Sequence, residues 1–229
     1  MIRRRPSRVS GRRGVRPYHP VPPTFVTAMW QKMTIYGEIH NMTRPSERRD
    51  MSDRGSGSSP RASRRAMDEI LDRCRASGAV DALVIDPHDV ETADWVRLKC
   101  QYGCSHHGTS HCCPPYTPTP EATRRVLDAY GCAVLLRFGD QAGAHRVSAA
   151  LEKEAFAQGF YKALALAAGP CRLCKVCDLD GCRHPASARP SMEACGIDVF
   201  ATVRAQGLAI KVVAVRTCDA QYFALLLVE

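Results

Sequence analysis

Four cysteines at positions 171, 174, 177 and 182, spaced C-x2-C-x2-C-x4-C, constrain this chain more than any other feature. Thiolates at every third residue of a tight loop turn inward on one small inorganic centre, and three of them supply three corners of an iron–sulfur cubane. Zinc also accepts four thiolates, commonly as two short hooks separated by a longer span. Three consecutive hooks crowd one face of a single ion. The run therefore predicts a [4Fe–4S] cluster on Cys171, Cys174, Cys177 and Cys182, with Zn2+ as the alternative.

Ferredoxin-type runs differ at the end: their last gap has three residues, and proline follows the fourth cysteine directly. Here the gap is four and the proline is Pro185. Because the fourth ferredoxin cysteine can ligate a different cluster from its three neighbours, Cys182 can serve either of two sites.

A second group supplies the other site. Cys100-x3-Cys104 is followed by Cys112-Cys113-Pro114-Pro115, and a proline after a ligand stiffens the loop that holds the sulfur. The third cysteine lies too far away for the C-x3-C-x2-C pattern of radical enzymes that use S-adenosylmethionine. If one of Cys112 and Cys113 binds, Cys195 is the candidate fourth ligand. It also sits on the apolar stripe of an expected helix, where a free cysteine behaves as a small hydrophobe. His106, His107 and His111 lie in the same loop and read first as a polar, histidine-rich loop, although imidazole is a competent ligand. Cys74, Cys132 and Cys218 fall in apolar segments and read as core. Arg172, Lys175, Arg183 and Arg189 surround the second group, either stabilising an anionic cluster or simply solvated.

Twelve cysteines in 229 residues would suggest disulfides in a secreted chain. The arginine-rich start, Met1 to Ser10, is not followed by an apolar export segment. Arg12-Arg13 is followed by Pro20, Pro22 and Pro23 where an apolar helix would be needed. No stretch reaches the roughly 18 to 20 apolar residues of a membrane span. The expectation is a soluble protein with no membrane contact, in a reducing, cytoplasmic compartment.

The formal charge of +9 is uneven. Residues 1–66 hold 15 of the basic and 4 of the acidic side chains, and the rest of the chain holds 17 and 19. The Arg-Ser-Pro-Gly composition of 1–66 reads as a basic, disordered tail rather than a nucleic-acid-binding arm. An upstream stretch read through because Met51 or Met67 is the true start fits it too. Residues 67–229 form the cysteine-rich domain.

Within that domain, helices are expected over Met67 to Ala76, over Ala144 to Gln158 and from Ser191 to Gly207. Another starts at Pro120, capped by Thr119 and favoured by Glu121 in the first turn. Strands are expected at Ala79 to Ile85, Cys132 to Phe138, Phe160 to Ala167, Leu208 to Val215 and Tyr222 to Val228, the last two adjacent. The fold expected is α/β or α+β, a mixed sheet of about four to five strands packed with helices, with the cysteine loops at one edge.

LKCQYGC (98–104), CPPYTPTPE (113–121), GPCRLCKVC (169–177) and CRHPASARPSMEACGIDV (182–199) together resemble a family of predicted metal-binding proteins, a domain of unknown function found in bacteria and archaea. The resemblance covers roughly residues 80 to 229. It implies Cys100, Cys104, Cys113, Cys171, Cys174, Cys177 and Cys182 as ligands, with Cys195 beside them, and favours Cys113 over Cys112. His106-His107-Gly108 stands where the family tends to have a Tyr-Gly pair.

Eight thiolates taken four at a time would serve two [4Fe–4S] clusters, each exchanging one electron. The leading expectation is an electron carrier or an accessory to a larger redox enzyme, with a redox partner protein, rather than a stand-alone enzyme. A zinc-binding structural or metal-chaperone module is the second. An iron–sulfur enzyme with one open iron on Cys100, Cys104 and Cys113 is the third. Glu193 and Asp198, which flank Cys195, read as capping or solvating their helix.

Overall fold

The structure, a computed structural model, describes residues 60–213 and 220–229, with side chains from residue 65 onward. The expected basic tail up to residue 59 and Cys218 lie outside the described residues. The elements, in order, are α1 (Pro60–Ala76), β1 (Asp81–Ile85), α2 (Asp94–Gly103), α3 (Pro120–Leu127), β2 (Ala133–Phe138), α4 (Gln141–Ala157), β3 (Leu164–Leu166), α5 (Val199–Ala205) and β4 (Tyr222–Leu227). Short 3-10 turns lie at Pro87–Asp89 and at Glu193–Cys195, the second just before α5.

Parity along two strands dictates the layers, because successive strand side chains point to opposite faces. Val134, Leu136 and Phe138 of β2 and Ala224 and Leu226 of β4 enter one core. Ala133 and Leu135, with Phe223, Leu225 and Leu227, enter a second. A sheet that is apolar on both faces must be covered on both. Ile70 and Cys74 of α1 and Val147 and Leu151 of α4 close the first core. Leu127 of α3 and Val199 and Val203 of α5, with Met192, Cys195 and Ile197, close the second. Burial pushes the Cys74 thiol up to about 12, so it stays neutral in its apolar place.

The four strands run in the order β1-β2-β4-β3. Every neighbouring pair is antiparallel, with Leu135 opposite both Leu83 and Leu225. The fold is α+β, and the expected mixed sheet is antiparallel instead. The expected final strand pair does not form in the described part of its first member. Residues 208–213 carry no strand, and Val212 and Val213 are 72% and 50% exposed. β4 lies between β2 and β3, so both of its edges are paired. The first helix begins at Pro60, upstream of Met67.

The helix expected from Ser191 to Gly207 is broken in two. Gly196 adopts φ +79, a left-handed conformation that ends the Glu193–Cys195 turn, and Asp198 recaps the chain by accepting from the Ala201 amide at 3.0 Å. A Cβ on Gly196 would meet Pro120 Cγ at 2.5 Å and Pro120 Cα at 3.1 Å. Gly196→Ala should therefore cost about 2–3 kcal/mol through left-handed strain and overpacking. The check is a lowered Tm with the metal content of the protein held equal.

Candidate metal centre

Cys100 lies in the last turn of α2, and Cys104 follows Gly103 at its end. One turn of helix separates them, so both thiols stand on the same side. The loop beyond Cys104 folds back on itself, with the Gly108 amide donating to the Pro114 carbonyl at 2.8 Å and the Cys113 amide to the Ser110 carbonyl at 3.0 Å. It returns Cys113 to the end of α2. Cys100, Cys104 and Cys113 line a cavity of about 120 Å³, together with His107, Gly169, Pro170, Ser191 and Glu193.

One guanidinium nitrogen fixes the walls of this cavity. Arg97, on α2, donates through Nη1 to Thr117 Oγ1 at 2.8 Å, to the Pro118 carbonyl at 2.9 Å and to the Ala194 carbonyl at 2.6 Å. Thr117 and Thr123 add hydroxyl bonds to the Ala194 and Cys195 carbonyls. Helix, cysteine loop and 3-10 turn are thereby held in one frame. Burial, then the neighbouring Cys104 and Cys100, push the Cys113 thiol up to about 11. Burial and Cys104 also raise Cys100 against the pull of Arg97. Thiols crowded in this way resist ionising together until a cation joins them.

The second cavity, of about 20 Å³, is lined by Cys171, Cys174, Cys177 and Cys182 and also by Cys112. The Cys112 thiol hydrogen-bonds Cys171. That bond holds Cys171 down at about 6 and raises Cys112. His111 Nε2 donates to the Asp178 carbonyl at 2.9 Å and joins the two cysteine loops. His145, on α4, reaches the Gly169 carbonyl at 3.0 Å where the chain turns into the second loop.

The structure therefore brings Cys182 to the other three cysteines of its run and puts neighbours Cys112 and Cys113 into different cavities. Cys195 lines neither. It is 1% exposed in the second core, and burial raises its thiol to about 12. Glu193, two residues before it, lines the three-thiol cavity; its residue surface is only partly covered, but its Oε2 is sealed from solvent with no hydrogen-bond partner. Burial raises the Glu193 carboxyl above the ordinary range. Asp198 caps α5 as expected. His107 and His111 line the two cavities, and His106 lines neither.

Of the four cations near the second loop, Arg189 is committed elsewhere, in a two-pronged ion pair with Glu152 of α4. Arg183 stands 3.7 Å from Asp178, and Arg172 and Lys175 are exposed. Among the described residues no three His, Cys, Asp or Glu side chains close on the position of a single ion. All eleven described cysteines are free thiols, and no described helix is long and apolar enough to cross a membrane. The donor set is soft, and soft thiolates select iron–sulfur clusters, zinc or copper(I) over hard cations.

A family model described as a predicted metal-binding protein matches residues 83–228, which include both cavities. No curated protein and no solved structure matches the chain.

Proposed function

Because the chain belongs to the predicted metal-binding protein family DUF2284, we propose that it carries two neighbouring iron–sulfur centres and works as an electron-transfer protein, in a reducing compartment such as the cytoplasm, beside a larger redox enzyme. The observation that carries this reading is the sorting of eight thiols into two cavities, five in one and three in the other. Three of the five, Cys171, Cys174 and Cys177, stand at every third residue of one loop, a spacing that suits three corners of a cubane better than one tetrahedral ion.

Cys171, Cys174, Cys177 and Cys182 would hold one cluster, with Cys112 against it. Cys100, Cys104 and Cys113 would hold the other. A bound [4Fe–4S] cluster supplies reversible one-electron chemistry. The protein's part is to orient the thiolates, limit water, and donate backbone N–H groups to sulfur. Val176, between Cys174 and Cys177, is 79% exposed, which leaves this loop open to a partner surface. A zinc-binding structural or chaperone module is the competing reading, favoured at the three-thiol cavity by its mixed sulfur, imidazole and carboxylate lining.

Anaerobic purification of the full chain, with iron, zinc and acid-labile sulfide counted per chain, decides between them. The expected protein is brown and carries about one sulfide per iron. A colourless protein holding only zinc overturns the iron–sulfur reading.

A further inference from the structure

The three-thiol cavity lacks a fourth sulfur, because the candidate expected from the sequence, Cys195, is packed into the core. The reason is local geometry. Glu193 and Cys195 belong to one 3-10 turn, in which successive residues are about 120° apart. Two positions along that turn face different ways. When Cys195 points into the apolar core among Leu127, Met192 and Ile197, Glu193 is turned toward the cavity that holds Cys100, Cys104 and Cys113.

Several contacts make this orientation firm. The Ser191 hydroxyl accepts from the Ala194 amide at 3.1 Å and starts the turn. Arg97 and Thr117 both bond the Ala194 carbonyl, and Thr123 bonds the Cys195 carbonyl at 2.6 Å. Gly196, left-handed against Pro120, ends it. Rolling Cys195 outward would break these bonds together and pull a buried side chain from the core. The side chain left facing the thiols is a carboxylate, with one oxygen buried and unpartnered. A buried carboxyl oxygen left without a hydrogen bond is costly, and a cation beside it would offset that cost.

We propose that Glu193 supplies the fourth, oxygen donor to the metal centre built on Cys100, Cys104 and Cys113, making it a mixed thiolate–carboxylate site. The proposal rests on the two-centre reading above. Oxygen is the harder donor, and on iron or zinc bound by three thiolates it is the one most readily displaced. The two centres are therefore unequal. The five-thiol cavity encloses a carrier, and the three-thiol cavity has one exchangeable corner, where a small oxygen- or sulfur-donor ligand can replace the carboxylate. His107 lines the same cavity, and is the rival donor to be separated by experiment.

The test uses the full chain, loaded anaerobically with iron and sulfide and then exposed to an iron chelator. Iron release and the electron paramagnetic resonance of the resulting three-iron cluster are followed. Wild-type protein should lose one iron from the first centre, and Glu193→Gln should lose it about 10–100-fold faster. Glu193→Cys, which restores a fourth sulfur, should lose it more slowly than wild type and give no three-iron signal. Cys195→Ala and His107→Ala should match wild type. The iron of the second centre, unchanged in every variant, shows that each has folded. Wild-type kinetics in Glu193→Gln, or acceleration by Cys195→Ala or His107→Ala instead, overturns the assignment. A fully loaded protein with an indifferent Glu193→Gln defeats this inference alone, whereas a wild type that takes up no iron or sulfide defeats the two-centre reading and this inference with it.

Discussion

Replacing Cys174 and Cys177 together with alanine should remove about half of the iron and sulfide per chain and leave the other half bound. Both thiols line the cavity around Cys171 and Cys182, and neither lines the cavity around Cys100, Cys104 and Cys113. The three-thiol walls are built mainly from α2, the loop that follows it and the Glu193 turn, tied by Arg97, with Gly169 and Pro170 beside them. None of that frame depends on the 171–182 loop for its hydrogen bonds to Thr117, Pro118 or Ala194. The reciprocal replacement, Cys100 with Cys113, should remove the complementary half. Metal and sulfide analysis after anaerobic reconstitution reads both. Loss of all metal from either double variant would mean a single shared centre.

The largest expected effect on folding lies away from the sulfurs. Glu152→Ala should destabilise the metal-loaded protein by about 3–5 kcal/mol, the cost of leaving a buried ion-pair partner alone. The two side chains of the Glu152–Arg189 pair are only 15% and 14% exposed. Arg189 Nε donates to Glu152 Oε2 at 2.6 Å, and a second guanidinium nitrogen bonds Oε1. Oε2 also accepts from the Ala165 amide at 2.7 Å, so the carboxylate joins α4, β3 and the segment that leaves the second cysteine loop. Alanine strands both the guanidinium and that amide. Exchanging both partners for apolar residues, Glu152→Leu with Arg189→Met, should recover much of the loss. Denaturant unfolding of the single and double variants forms the cycle that checks it. Equal instability of the double and single variants would show that the pair is not the source.

Much of this architecture is legible in the residues. Thr119-Pro120-Glu121 announces α3, and Thr119 Oγ1 does accept from the Ala122 amide at 3.2 Å. The apolar run at 133–138 reads as a strand buried on both sides because it is one. Other parts leave no local trace. α2 buries only Val96, exposes Trp95 and Leu98, and begins at Ala93 with no side-chain cap, so neither stripe nor cap marks it. Its existence serves the Cys100–Cys104 spacing, which a loop could satisfy equally well. Met192, Cys195, Val199 and Val203 keep helical periodicity across a break, because the two short pieces face the same core. Gly196 was the available sign of that break, and a periodic stripe on both sides concealed it.

The candidate site follows the same logic. Spacing alone groups Cys171, Cys174, Cys177 and Cys182, since a short loop can hardly scatter them. It cannot sort Cys112 from Cys113, because adjacent residues diverge according to a backbone turn set by Ser110 and Pro114. Glu193 was hidden by chemical preference: a cysteine two residues along looks the better ligand until the turn between them is known.

That adjacency has an electrical meaning. Cys112 and Cys113 are one peptide unit apart, about 3.8 Å between Cα atoms, yet they border separate cavities. Charge gained on one side is felt across that single unit with little water to weaken it. If both cavities hold the clusters proposed above, an electron added to one would make the second harder to add, through the dipeptide that borders both.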